Sequence, residues 1–223
     1  MIVLLSDTVS LNPALAATLR REVCRRKRSV AYISSSPQRY PRKWFEATVN
    51  EYARIDPNIE VAYFDLAEPY QSLSRIREFG TIHLSGGNTF EFLDSLRQRG
   101  FSRILKSHLL NGGLIVGVSA GGIVLTPVVT TAYIAGDAHD GDPQKIGLGF
   151  AQFEFLPHFY GSESEMEAIR KYSLKTPNDI YACDDQSGVV LHQGRVNLYG
   201  NVVALRRGTF LDGSEVALGK TAA

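Results

Sequence analysis

Short apolar runs alternate along the chain with longer stretches whose apolar residues recur every three or four positions. Ile2–Leu5, residues 30–33, residues 61–64, Thr81–Leu84 and Leu114–Val118 read as strands. Between them, Leu11, Leu15, Leu19 and Val23 form one helical stripe. Trp44, Phe45, Val49 and Tyr52 form a second, entered past Pro41. Ile76 and Phe79 suit a short helix. Phe90, Leu93 and Leu96 mark another, followed by one through Ile104, Leu105 and Leu109. A period near 3.6 against a period near 2, or a short continuous run, separates the two element types. Leu114–Val118 is apolar almost throughout, which suits a strand buried on both faces of a sheet.

Strand–helix alternation of this kind predicts an α/β fold: a flavodoxin-like, mostly parallel, doubly wound sheet. The C-terminal third changes rhythm. Residues 189–191, 196–199 and 202–205 are short strands separated by Gly194 and Gly200-Asn201. They predict an antiparallel meander that extends one edge of the sheet. No linker or composition break divides the chain, so residues 1–223 are expected to form a single α/β domain.

Composition narrows the class of function. With 24 Lys+Arg against 23 Asp+Glu the net charge is +1, and 44% of residues are hydrophobic. Disorder needs the opposite balance. No run approaches the roughly 20 apolar residues of a membrane span. A near-neutral chain also argues against nucleic acid as a partner. The basic run at residues 20–28 reads as the solvated C-terminal end of the first helix, where cations favour the helix dipole. Cys24 and Cys183 make no disulfide framework or metal motif. The N-terminus reads as a strand, with no basic leader before it, and the expected location is cytoplasmic.

The sharpest motif is Gly117-Val118-Ser119-Ala120-Gly121. It follows a buried strand and precedes Gly122-Ile123-Val124-Leu125, which can open a helix. That is the context of a nucleophile elbow. Ser119 must sit on a strained turn that lifts its hydroxyl above the sheet, and the flanking glycines leave room for it. The Ala120 amide follows Ser119 and can serve an oxyanion. Gly86-Gly87-Asn88-Thr89 ends the preceding strand and opens onto the same sheet edge. Gly87 is the second candidate oxyanion donor, with Asn88 shaping the site.

A serine nucleophile needs a base, and the chain has five histidines. His83 lies within a strand, His108 on a helix and His192 in the meander, and His139 sits in a polar loop. His158 follows the apolar run 153–157 and so stands at a strand end, where it could meet Ser119. The acid that orients the imidazole stays open. Asp137, Asp140 and Asp142 precede His158, and Glu163, Glu165 and Glu167 follow it.

Gly86-Gly87-Asn88-Thr89, the Ser119 elbow and Pro157-His158-Phe159, in that order, resemble the dipeptidase E and cyanophycinase family of serine peptidases. The resemblance covers roughly residues 80 to 172 and implies a fold similar to class I glutamine amidotransferases. Those amidotransferases carry a cysteine at the elbow, whereas this chain carries Ser119. The resemblance maps the nucleophile onto Ser119, the base onto His158 and the oxyanion donors onto Gly87 and Ala120. Its acid falls on either of two places: Asp137, beyond Thr130-Thr131, or Glu163, on the loop after the histidine. Arg170 is the match for an arginine that pairs with a substrate aspartyl group. The implied activity is hydrolysis of small peptides, dipeptides with an N-terminal aspartate foremost. No cofactor or metal is called for, no membrane or nucleic acid is a partner, and a monomer or homodimer is expected. An α/β-hydrolase esterase and a non-catalytic binding or regulatory protein are the alternative readings.

Overall fold

The computed structural model describes residues 1–35, 42–68, 73–138 and 145–211. Pro41, His139, Asp140 and Asp142 lie outside the described residues. The main sheet uses β1 (Ile2–Leu5), β2 (Ser29–Ser34), β3 (Glu60–Asp65), β4 (Thr81–Leu84), β5 (Leu114–Val118), β8 (Gly188–His192) and β9 (Arg195–Tyr199). Its strand order is β3-β2-β4-β5-β1-β8-β9. The first five strands in that order are parallel, and β8 and β9 add antiparallel neighbours beyond β1. All five predicted parallel strands are therefore present and form one sheet.

Alternation along the strands sends side chains to two apolar layers. Leu4, Ile33, Ile82 and Ile115 join a layer with Phe90, Phe92 and Leu93. Val3, Leu5, Val30 and Val116 face the other way, onto Leu15, Leu19, Val23 and Tyr52. Two helices cover this second face: α1 (Pro13–Cys24) and α2 (Lys43–Ile55). Two more follow β4: α3 (Thr89–Gln98) and α4 (Phe101–Leu110). Short helices α5 (Ala120–Ile123) and α6 (Thr131–Ile134) come next, then α7 (Glu163–Ser173). No helix among the described residues is long and apolar enough to cross a membrane.

The C-terminal meander departs from the expected arrangement. β8 and β9 do extend the main sheet, but β10 (Val202–Arg206) leaves it. β10 joins β6 (Glu154–Leu156), β7 (Ile180–Cys183) and β11 (Thr209–Phe210) in a second sheet, ordered β11-β10-β7-β6. The turn at Gly200, with φ +83°, starts the departure. A Cβ there would come within 2.3 Å of Ser187 Oγ, so only glycine fits. Burial completes it: Leu205 packs with Leu156, Phe159, Ile169, Ile180 and Ala182 in a separate apolar cluster. The β6–β7 pair is parallel, with Leu156 opposite Ala182. Both strands therefore end on the same side, which brings His158, just past β6, near Asp184-Asp185, just past β7.

Four of the six basic residues at 20–28 form ion pairs within the fold. Arg21, Arg25 and Arg26 all pair with Glu22, and Arg28 pairs with Asp56.

Candidate active site

Ser119 leaves β5 with φ 50° and ψ −115°, a backbone conformation that costs a non-glycine residue energy. The surroundings hold it there. Its N–H donates to Leu5 O at 2.9 Å, and its carbonyl accepts from Gly122 N at 2.8 Å and Ile123 N at 3.0 Å. The elbow glycines are required by backbone, not by side chains. A Cβ on Gly117 would lie 2.4 Å from Gly121 O, and one on Gly121 would lie 2.2 Å from Leu84 O. The strand end and the short helix therefore touch, and the serine is pushed out between them.

His158 follows β6, also with positive φ (57°). Its backbone N–H donates to the buried Ser6 Oγ at 2.7 Å, and that hydroxyl donates to Cys183 O at 2.8 Å. Phe159 N donates to the same carbonyl at 2.9 Å. Ser6 follows β1 directly, so one buried hydroxyl joins the ends of β1, β6 and β7 and fixes the histidine backbone. The ring then bridges two groups. Nε2 lies 2.9 Å from Ser119 Oγ, and Nδ1 lies 2.6 Å from Asp185 Oδ1. A carboxylate can only accept, so Nδ1 carries the hydrogen and Nε2 is free to accept from the serine hydroxyl.

Asp185 is the carboxylate that sequence reasoning missed. It sits in the turn between β7 and β8, where Asp184 Oδ1 accepts from Gln186 N at 3.1 Å and also from Ser187 Oγ. Its second oxygen accepts a hydrogen bond from the Tyr160 hydroxyl. That bond, with a smaller contribution from burial, pushes the Tyr160 phenol up to about 12. A phenol that stays protonated holds the carboxylate on one side while His158 occupies the other. Tyr160→Phe is expected to reduce kcat about three- to tenfold, from the loss of one charge-assisted hydrogen bond. KM and the melting temperature should stay near wild type, because Tyr160 is 65% exposed. Steady-state kinetics beside a thermal melt checks the split.

Neither acid expected from the sequence meets His158. Asp137 Oδ2 accepts from Thr89 N at 2.9 Å, so this carboxylate caps the start of α3. Glu163 is the first residue of α7 and is exposed, with Glu165 forming the capping box with Ser162. Asn88 also caps α3: its Oδ1 accepts from Phe90 N at 3.1 Å and Glu91 N at 3.0 Å. Arg170 is exposed on α7, and its guanidinium has no partner among the described residues. It lies about 12 Å along the helix axis from Ser162, at roughly 1.5 Å per residue.

Gly86 packs beside the serine, since a Cβ there would stand 3.6 Å from Ser119 Cβ. Gly87 has φ +139°, and its N–H, like that of Ala120, has no partner among the described residues. Of the other described histidines, His192 ends β8 opposite Arg195, and two are committed to partners of their own. His83 is buried, bonded to the Tyr52 hydroxyl, and lowered to about 3 by burial. His108 Nε2 meets Leu114 O at 3.0 Å.

Over 134 residues the chain is 31% identical to the uncharacterized peptidase YgaJ of Bacillus subtilis (strain 168), covering 59% of this chain and 55% of that one. It is 24% identical over 166 residues to Peptidase E of Citrobacter koseri, covering 70% of this chain and 71% of that one. The chain thus spans between about half and three-quarters of the length of these curated relatives. The crystal structure of a peptidase from an acI-B1 actinobacterium shares the fold, with a TM-score of 0.63 at 18% identity, covering 94% of this chain and 92% of that one. The model of peptidase family S51 matches residues 2–199, and the chain belongs to that family.

Proposed function

We propose that this S51 peptidase is a serine hydrolase of small peptides, acting through Ser119, His158 and Asp185, with dipeptides that begin with aspartate as its preferred substrates. The unbroken hydrogen-bonded series from Ser119 Oγ through the imidazole to Asp185 carries the reading. Ser119 Oγ attacks the scissile carbonyl carbon while its proton passes to His158 Nε2. Asp185 holds the ring and stabilises the imidazolium that forms. The N–H groups of Gly87 and Ala120 receive the negative charge on the carbonyl oxygen. His158 then returns the proton to the leaving amine, the C–N bond breaks, and an acyl-serine remains. Water adds to that ester by the same route, delivering its proton to His158, and Ser119 regains its hydrogen.

One feature supports a substrate with a free amino terminus. Asp7, Asp184 and Asp185 place negative charge around Tyr160, beside the base, which favours an ammonium group there. The preference for an aspartyl side chain rests on the family resemblance, which assigns Arg170, with its planar fork, to the substrate carboxylate. A panel of dipeptides starting with Asp, Glu or a neutral residue, each free or N-acetylated, tests the selectivity. The Asp-first peptides are expected to have the highest kcat/KM, and acetylation should lower it at least about tenfold, the scale of a lost ion pair. Equal turnover of acetylated peptides, or cleavage of aryl esters alone, would overturn the substrate assignment.

A further inference from the structure

Two buried serines outside the triad bear on its oxyanion hole. Ser35 follows β2 and Ser85 follows β4, one on each of two neighbouring parallel strands. Ser35 N donates to Ser85 Oγ at 2.9 Å. Ser85 Oγ in turn donates to Gly86 O at 3.0 Å, and Ser35 Oγ donates to the same carbonyl. Ser85 is 2% exposed and Ser35 9%. One carbonyl oxygen thus takes both hydroxyl hydrogens, using both of its lone pairs.

The Gly86 carbonyl belongs to the same planar unit as the Gly87 N–H. In a trans peptide the two point in opposite directions. Fixing the oxygen therefore fixes the direction of the N–H. Two adjacent glycines would otherwise leave this plane unusually free to rotate. The Gly87 backbone also leans on Ser35, since a Cβ at Gly87 would fall 2.1 Å from Ser35 Oγ. Oxyanion stabilisation depends on donors held in place before charge develops, so rotation of this plane would weaken it.

We propose that Ser35 and Ser85 are positioning residues that clamp the Gly86–Gly87 peptide and so aim the Gly87 N–H at the oxyanion. The proposal rests on the serine-hydrolase reading of Ser119. It assigns no contact between either serine and the substrate.

A fluorophosphonate tests it without knowledge of the natural peptide. Ser119 Oγ forms a bond to phosphorus, fluoride departs with the P–F bond, and the serine proton passes to His158. The phosphoryl oxygen occupies the oxyanion hole as the bond forms. Ser35→Ala and Ser85→Ala are each expected to slow this labelling about tenfold. The double variant should slow it about 10²-fold, the lower end of the cost of losing one oxyanion donor. The pH midpoint of the labelling rate should not move, because His158 and Asp185 are untouched. Labelling at the wild-type rate, even with a lowered melting temperature, would overturn the clamp. So would slowed labelling with a displaced pH midpoint, which would mean that the triad itself had shifted. The reading beneath it fails separately: wild-type protein that forms no adduct at Ser119 refutes the nucleophile before any variant is compared.

Discussion

Ser119→Ala is expected to lower peptide hydrolysis by about 10⁴- to 10⁶-fold, the range over which removal of a serine nucleophile acts in hydrolases of this type. The fold should survive. The bonds that hold the elbow run through the backbone: Ser119 N to Leu5 O, and Ser119 O to the amides of Gly122 and Ile123. Alanine at φ 50° is strained to about the same degree as serine, so the variant gives up only the hydrogen bond to His158 Nε2. The melting temperature should therefore change by a few degrees at most, while substrate binding persists. Mass spectrometry of product formation, run beside a thermal melt, separates loss of chemistry from loss of structure. Full hydrolysis of every peptide that the wild type cleaves would remove Ser119 from the mechanism.

Much of the fold is legible in periodicity because four of the five parallel strands are buried almost throughout, with only the edge strand β3 half-exposed. Four of the five appear in the sequence as short apolar runs bounded by polar turns, while β4 alternates, with Thr81 and His83 beside Ile82 and Leu84. The elbow is legible for a related reason. Its glycines answer to backbone contacts, Gly117 against Gly121 and Gly121 against Leu84, and such contacts restrict a position more tightly than any side-chain neighbour. His158 can be found because it ends an apolar run.

The second sheet and the acid are harder to see. β10 is a short apolar run directly after β9 and so reads as the next strand of one meander, whereas its change of sheet depends on the Leu205 cluster, to which α7 contributes Ile169. Ile180–Cys183 is an apolar run ending at Asp184-Asp185, the same kind of signal that marks Ser119 and His158. At four residues it is short, yet it is apolar throughout, whereas the run before His158 is interrupted by Glu154. Parallel pairing of β6 with β7 brings the two strand ends together, and pairing between strands so separated in sequence is not written in local spacing. Asp137 lies closer to the family's pattern, yet its carboxylate caps a helix three residues beyond Gly86.

Asp185→Asn discriminates between these acids and should cost about 10³-fold in kcat. A buried triad aspartate is worth about 10⁴. Here the Asp185 and His158 side chains are 35% and 40% exposed, so water can orient the ring in part and the loss should be smaller. The cause is the direction of a proton. A carboxylate accepts from Nδ1–H and leaves Nε2 as the acceptor of the serine hydrogen. An asparagine amide can turn its NH₂ toward Nδ1, which then becomes the acceptor and moves the ring hydrogen to Nε2. Nε2–H cannot take a proton from Ser119. The Tyr160 hydroxyl favours this wrong arrangement, because it donates to the other oxygen and keeps that oxygen pointed away from the ring. Stability should change little, since the Asp184 side chain, not Asp185, accepts the bonds that build the turn. Asp137→Asn retains an acceptor for Thr89 N and should alter kcat about twofold or less, and Glu163→Gln on the exposed start of α7 should do the same. Near-normal turnover in Asp185→Asn, with loss in Asp137→Asn or Glu163→Gln, would reverse the assignment. A tenfold or larger recovery of Asp185→Asn at higher pH would support it, because hydroxide can then take the serine proton that Nε2–H refuses.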